Sequence, residues 1–345
     1  MTDTGPLPAD HRKVQPRKVG VLIANLGTPD GTDYKSMRRY LNEFLSDKRV
    51  IDYPAWKWQP ILQGIILTVR PNKSGAAYKS VWNEELNEGP LLTITRNQSD
   101  KIAAALADHS DQIVVDFCMR YGKPSTDAAI RRLKDQGCDR ILFFPLYPQY
   151  AAPTTATAND HAFRTLMKMN WQPALRTVPY YFEDDAYLDA LANSVREAYD
   201  AMDIKPDHLV CSYHGVPLRY LTEGDPYHCQ CQKTTRLLAE RLGWDRDHLI
   251  TTFQSKFGPE VWVGPATVDH VAELAKDGKK NIAVIAPAFS ADCLETLEEI
   301  REEIRESFEH AGGETFTYIP CLNDRDDHIA ALTGIIKNEL KGWVK

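Results

Sequence analysis

Eight apolar, β-branched runs spread along the chain limit its fold more than any other feature: "VGVLIANLG", "QIVVDFCMRYG", "RILFFPLYPQY", "LRTVPYYF", "HLVCSYHG", "LITTFQSKFG", "NIAVIAPAF" and "TFTYIPCL". Continuous rather than alternating apolarity suits strands covered on both faces, as in a parallel sheet flanked by helices. Helix-like segments separate the runs, so the class is α/β.

The order of these runs repeats. "IANLGTP" (23–29) and "CSYHGVP" (211–217) share a Gly-x-Pro ending, and "FCMRYGKP" (117–124) and "FQSKFGP" (253–259) share a Phe, a base, an aromatic residue and a Gly. Third strands follow "QGCDRI" and "DGKKNI" in the same way. We read two similar doubly wound, Rossmann-like domains, each with a four-stranded parallel sheet, facing each other across a cleft. The first domain takes residues 18–182 plus a returning C-terminal helix in 323–345, the second takes 183–322, and the polar, Pro-rich stretch 1–17 is expected to be a disordered tail. Gly27 to Phe117 spans 90 residues but Gly215 to Phe253 only 38, so the first domain carries an insertion, placed at about 45–90.

Charge narrows the partners. Lys and Arg number 41 against 48 Asp and Glu, a net of −7 with no basic run, which does not suit nucleic acid. The N-terminus lacks the apolar core of a secretory signal, and seven irregularly spaced cysteines read as reduced thiols, so a cytoplasmic protein is expected. No apolar run approaches the ~20 residues of a membrane-spanning helix, which leaves peripheral contact as the only kind expected.

In doubly wound sheets ligands bind beyond the carboxyl ends of the strands, which directs attention to Leu26, Arg120, Tyr121, Tyr147, His214, Lys256 and Phe289. No GxGxxG or GxxxxGK[ST] follows any strand, so neither a dinucleotide nor a nucleoside triphosphate has its usual cradle. His214 ends its strand where the first half has Leu26, a polar group where an apolar one would do. The segment "CLETLEEIREEIRESFEH" (293–310), read at 100° per residue, gathers Leu294, Leu297, Ile300, Ile304 and Phe308 on one face and Glu295, Glu299, Glu302, Glu303 and Glu306 on the other. Surface glutamates are most often a solvated face, but this helix begins directly after a strand of the second half, on the same side as His214. Carboxylates beside an imidazole can hold a divalent cation transiently or accept protons.

Within the insertion, "AWKWQPILQGIILTVR" (55–70) is unusually apolar. It reads either as a helix packed on its own domain or as an exposed lip, with Trp56, Trp58, Ile61, Leu62, Ile65 and Ile66 meeting a lipid interface or guarding the entry of a greasy substrate. His228, Cys229 and Cys231 form an H-C-x-C, but the second ligand pair of a zinc or iron–sulfur site is missing.

The motifs "SYHGVPLRYLTEGDPY", "FQSKFGPEVWVGP" and "PAFSADCLETLEE", together with "NLGTP" and "LYPQYAAPTTAT", make the chain similar to the ferrochelatase family from about residue 18 to 340. The resemblance implies insertion of Fe²⁺, as a substrate, into protoporphyrin IX to give protohaem and two protons, with no tightly bound cofactor. It implies His214 and Glu295 as the pair at the metal-exchange site, with Glu299 and Glu303 extending the acidic path. Leu26, Tyr147, Trp262 and Phe289 would line the macrocycle pocket, and Arg70, Tyr78, Arg120 and Tyr121 would lie near propionates or pocket walls. It also implies a π-helical turn at the start of the acidic helix.

Departures from the family pattern refine this. Leu26, where coproporphyrin-type relatives carry a tyrosine, and the apolar 56–69 segment both favour protoporphyrin. The chain ends without the cysteine group that holds a [2Fe–2S] cluster in some relatives, so a cluster of that kind is not expected, while Cys229 and Cys231 stay open as metal ligands. His214 is consistent with a base and with a weak iron ligand. Rival readings are a two-domain tetrapyrrole or metal carrier without chemistry and a cobalt or nickel chelatase of the same fold; the chain could act as a monomer or a homodimer, on the inner face of the cytoplasmic membrane if the lip meets lipid.

Overall fold

The computed structural model describes residues 17–344; the expected disordered tail lies outside them except for Arg17. β1 (Lys18–Thr28), β2 (Ile113–Gly122), β3 (Cys138–Pro145) and β4 (Ala174–Thr177) form an all-parallel sheet in the order β2-β1-β3-β4. β5 (His208–His214), β6 (Leu249–Gln254), β7 (Asn281–Ile285) and β8 (Thr315–Ile319) repeat it as β6-β5-β7-β8. The repeat extends to detail, since the N–H of Met119 donates to the carbonyl of Pro124 as that of Phe253 does to Pro265. Both sheets reverse direction of winding at their first strand, so Leu26 and His214 occupy equivalent switch points, where such sheets open a crevice.

The halves are not separate cores. One apolar cluster runs from Val21, Ile23 and Phe144 of the first sheet through Tyr187, Leu191 and Val195 to Leu209, Cys211 and Ile285 of the second. Helix Asp326–Glu339 packs on helices Pro90–Ala107 and Asp185–Ala201 and adds Ile329, Leu332 and Ile336 to that core. The outer face of the first sheet is covered by helices Thr126–Asp135 and Thr157–Met167, and that of the second by Thr267–Lys276 and 295–310.

The insertion folds as helices Tyr34–Leu45, Ala55–Ile61 and Leu67–Ser80, the last two joined by a π-helical turn at Leu62–Ile66. Asp33 caps the first by accepting from the N–H groups of Lys35 and Ser36. Met37, Leu41, Leu62, Leu67 and Tyr78 give this layer a core of its own, to which Tyr121 is added from β2. Leu62, for which the sequence left both a packed helix and an exposed lip open, is 0% exposed and belongs to the packed side. Trp58 is also turned inward, stacking on Tyr53 and donating its Nε1–H to the carbonyl of Leu45, and Ile66 packs against the same core. What remains outside is Trp56, Ile61, Ile65 and Val69, with Trp56 75% exposed. Among the described residues no helix is long and apolar enough to cross a membrane.

Candidate active site

A cavity opens between the halves at the two switch points. The first half contributes a largely apolar wall, Leu26 and Gly27 at the carboxyl end of β1, Leu146 and Tyr147 after β3, and Phe44, Tyr78 and Leu91 from the helices. The second half contributes His214, Tyr227, Phe289, Cys293 and Glu295.

His214 is the last residue of β5 and its Nδ1 lies 2.7 Å from the carbonyl oxygen of Gly215. A carbonyl only accepts, so Nδ1 carries the hydrogen and Nε2 keeps a free lone pair. Gly215 allows this tight exit from the sheet: a Cβ there would stand 2.8 Å from the carbonyl oxygen of Gln254 and 3.0 Å from the ring of Trp262. Trp262 thus backs the turn behind His214 and packs on Phe257, with ring centroids 4.8 Å apart; it does not line the cavity, where it had been expected.

Glu295 opens a π-helical segment running to Ile304, longer than the single turn expected, and Arg305–His310 continues it as an α-helix. Thr296, Ile300, Ile304 and Phe308 are buried at a spacing of four. The wider π turn brings every fourth side chain nearly into line, which a 100° period does not. For this reason Leu297, assigned to the core face from the sequence, joins none of the apolar clusters, and Leu294 packs against the insertion instead. Glu295, Glu299 and Glu303 each precede one of the buried positions and so form a row from the cavity wall to the exposed Glu303.

The first two carboxylates differ in their surroundings. Glu299 accepts from the N–H of Ser255 at 2.6 Å, from its hydroxyl at 2.5 Å and from Gln254 Nε2 at 3.1 Å. Burial pushes its carboxyl up, opposed by the Ser255 hydrogen bond, the charge of His214 and Gln254. Glu295 is fixed instead through its backbone, whose carbonyl accepts from Gln254 Nε2 at 2.7 Å, and its side chain faces the cavity beside Cys293. Burial, and then the charge of Glu295, hold the Cys293 thiol and the Tyr78 phenol well above their ordinary values, so both remain neutral.

Of the residues named from the sequence, Leu26, Tyr78, Tyr147, Phe289, His214 and Glu295 share one cavity wall. Arg70 is not on the wall and is exposed, although the charge of Glu295 reaches its guanidinium. Arg120 and Tyr121 are not on the wall. Arg120 is paired with Asp47 in the protein interior and also donates to Thr157 Oγ1 at 2.6 Å, and Tyr121 donates its hydroxyl to Asp47 at 2.9 Å. An arginine whose charge is spent on a buried carboxylate anchors the insertion to β2; it is not free for a ligand's acid groups. Cys229 is exposed and Cys231 buried on helix Tyr227–Leu242, and among the described residues no three His, Cys, Asp or Glu side chains converge as a metal-holding group.

Sequence reading missed Gln254 and Ser255. Both stand in the quoted motif "FQSKFGP", but the left-handed backbone of Ser255, φ 63°, that turns its N–H and hydroxyl toward Glu299 has no signal in a serine.

The chain as a whole is similar to known proteins. A sequence profile of the family described as Ferrochelatase matches residues 18–340. A protein named Ferrochelatase from Rhodobacter capsulatus is 64% identical over 339 residues, covering 98% of this chain and 97% of its own. Another of that name from Allorhizobium ampelinum is 58% identical over 338 residues, covering 98% of each chain. Among solved structures, SirB from Bacillus subtilis with Fe³⁺ superposes with a TM-score of 0.55 at 10% identity, covering 95% of this chain and 99% of that one, a likeness of fold alone.

Proposed function

The chain belongs to the ferrochelatase family, enzymes that make haem by inserting iron into a porphyrin, and from that membership we propose how its own residues carry Fe²⁺ into protoporphyrin IX. The observation that carries the reading is the convergence of His214 and Glu295, from one half, on a cavity whose facing wall is apolar and comes from the other half.

The reaction exchanges two pyrrole protons for one Fe²⁺. A flat, apolar macrocycle lies against Leu26, Tyr147 and Phe289, which exclude water and hold it rigidly. His214, with Nδ1 engaged by Gly215, turns the Nε2 lone pair to the ring centre and takes a pyrrole proton there. Glu295, at the start of the π segment, receives a proton or steadies the incoming cation. Glu299 and Glu303 continue the negative row and draw Fe²⁺ inward by charge, and Arg70, an exposed cation within reach of the charge of Glu295, meets the ring's propionates. A metal held only weakly by the protein passes readily to four pyrrole nitrogens, which suits turnover. Leu26 supports protoporphyrin over a more acidic porphyrin, because an apolar side chain at that wall gives extra carboxylates no partner.

The apolar group Trp56, Ile61, Ile65 and Val69 supports peripheral attachment to a membrane surface, the natural store of so apolar a substrate. Anaerobic insertion of Fe²⁺ into protoporphyrin, followed by the loss of porphyrin fluorescence, tests the mechanism. The wild type should turn over and His214→Ala should bind porphyrin without turnover; undiminished turnover in the variant would remove His214 from the chemistry.

A further inference from the structure

Resting on this reading of the site, we propose that Ser255 and Gln254 are positioning residues that hold Glu299 out of the inner coordination sphere, so that the metal meets two protein ligands, His214 and Glu295, and not three.

The geometry is specific. The N–H of Ser255 fills Glu299 Oε1, while the Ser255 hydroxyl and Gln254 Nε2 both donate to Oε2. Three of the roughly four lone-pair positions of a carboxylate are thereby occupied. Glu299 does not line the cavity that Glu295 and His214 share, although it lies one π turn from Glu295 and close enough for the charge of His214 to act on it.

The clamp is itself fixed. Gln254 is 2% exposed; its Oε1 accepts from the Ser212 hydroxyl at 2.8 Å and its carbonyl from the N–H of Gly215 at 2.8 Å. Its Nε2 is shared between Glu299 and the carbonyl of Glu295, so the side chain that restrains one carboxylate also sets the position of the residue bearing the other. Ser255 is one of three non-glycine residues with positive φ among the described residues, a conformation kept where it directs a group to a purpose.

The consequence is chemical. A histidine with two carboxylates is a ligand set that retains a divalent ion, whereas a histidine with one carboxylate releases it. An enzyme that must hand its metal to a macrocycle gains by keeping the second carboxylate as a source of field and not as a ligand.

Ser255→Gly removes the hydroxyl and relaxes the left-handed backbone, so it should fold. Titration of the full chain with Zn²⁺ should show about tenfold tighter binding than in the wild type, and KM for the metal and kcat should fall together. Ser255→Gly combined with Glu299→Gln should return Zn²⁺ affinity to the wild-type value, and Ser255→Asn, which accepts the same φ and offers an N–H donor, should restore it as well. Unchanged or weaker Zn²⁺ binding in Ser255→Gly, or tightening that persists without Glu299, would overturn the proposal. Wild-type turnover that survives His214→Ala would instead overturn the reading of the site, whatever the Zn²⁺ titrations give.

Discussion

The imidazole Nδ1 of His214 sits 2.7 Å from the carbonyl oxygen of the very next residue, Gly215, so the strand end that positions the ring also chooses its tautomer. In ¹⁵N spectra of the neutral ring, the Nδ1 resonance should be that of a protonated nitrogen and Nε2 that of a bare one. The opposite pattern would turn a donor, not a lone pair, toward the cavity and would rule out His214 as the base that receives the first proton.

Gly215 itself is expected to tolerate no side chain. A Cβ would lie 2.8 Å from the carbonyl of Gln254, the β6 residue registered with His214, so one of the two strand ends has to move. In Gly215→Ala, kcat should drop roughly tenfold to a hundredfold, the scale of an ångström's misplacement of a reacting group. Porphyrin affinity should change little, and equal loss of porphyrin binding and kcat would mean that the whole crevice had collapsed.

The two-fold repeat of the fold was readable because buried parallel strands must be apolar throughout, and their ends carried the Gly-x-Pro signatures around Gly27 and Gly215. His214 stood out for a related reason, as a polar group at a strand end that the other half fills with leucine, and Glu295 as the first carboxylate of an acidic helix that follows a strand on the same side. The 100° wheel failed at Leu297 because a π turn leaves no mark in composition. Arg120 was misplaced because its partner Asp47 lies 73 residues away in the insertion, a distance along the chain that local pattern does not bridge. The side taken by Leu62 stayed open for the same reason, since only the packed layer of Met37, Leu41 and Leu67 decides which side of an apolar helix is covered.

That layer also decides which residues a membrane test has to change. Trp56→Glu with Ile65→Glu replaces two side chains that are 75% and 63% exposed, so folding should be unaffected. Each apolar side chain buried in lipid contributes roughly 1.5–3 kcal/mol, and losing both should reduce sedimentation with vesicles at least a hundredfold. Undiminished sedimentation of a double variant with a normal melting curve would move the membrane contact elsewhere, while Leu62→Glu should fail at the level of folding.

Stability should depend on pH through a histidine far from the chemistry. His328 is fully buried on helix Asp326–Glu339, with Nδ1 2.7 Å from the carbonyl of Asn323 and, among the described residues, no partner at Nε2. Burial pushes its imidazole down from 6.5 to about 4. The folded value is the lower one, so on acidification the unfolded chain takes up the proton first. The stabilisation is complete above pH 6.5 and is lost progressively as pH falls toward about 4, a span worth about 3 kcal/mol. His161, pushed to about 4 by burial and then by the charge of Arg120, adds to the same window. Urea unfolding from pH 7 to 4.5 should therefore show a falling free energy, and His328→Gln, which can still donate to Asn323, should flatten that fall by roughly half. An unaltered slope in the variant would mean that His328 is not charged even in the unfolded chain's pH range, or that local opening near Asn323 lets it titrate normally; either result excludes it as the source of the acid sensitivity.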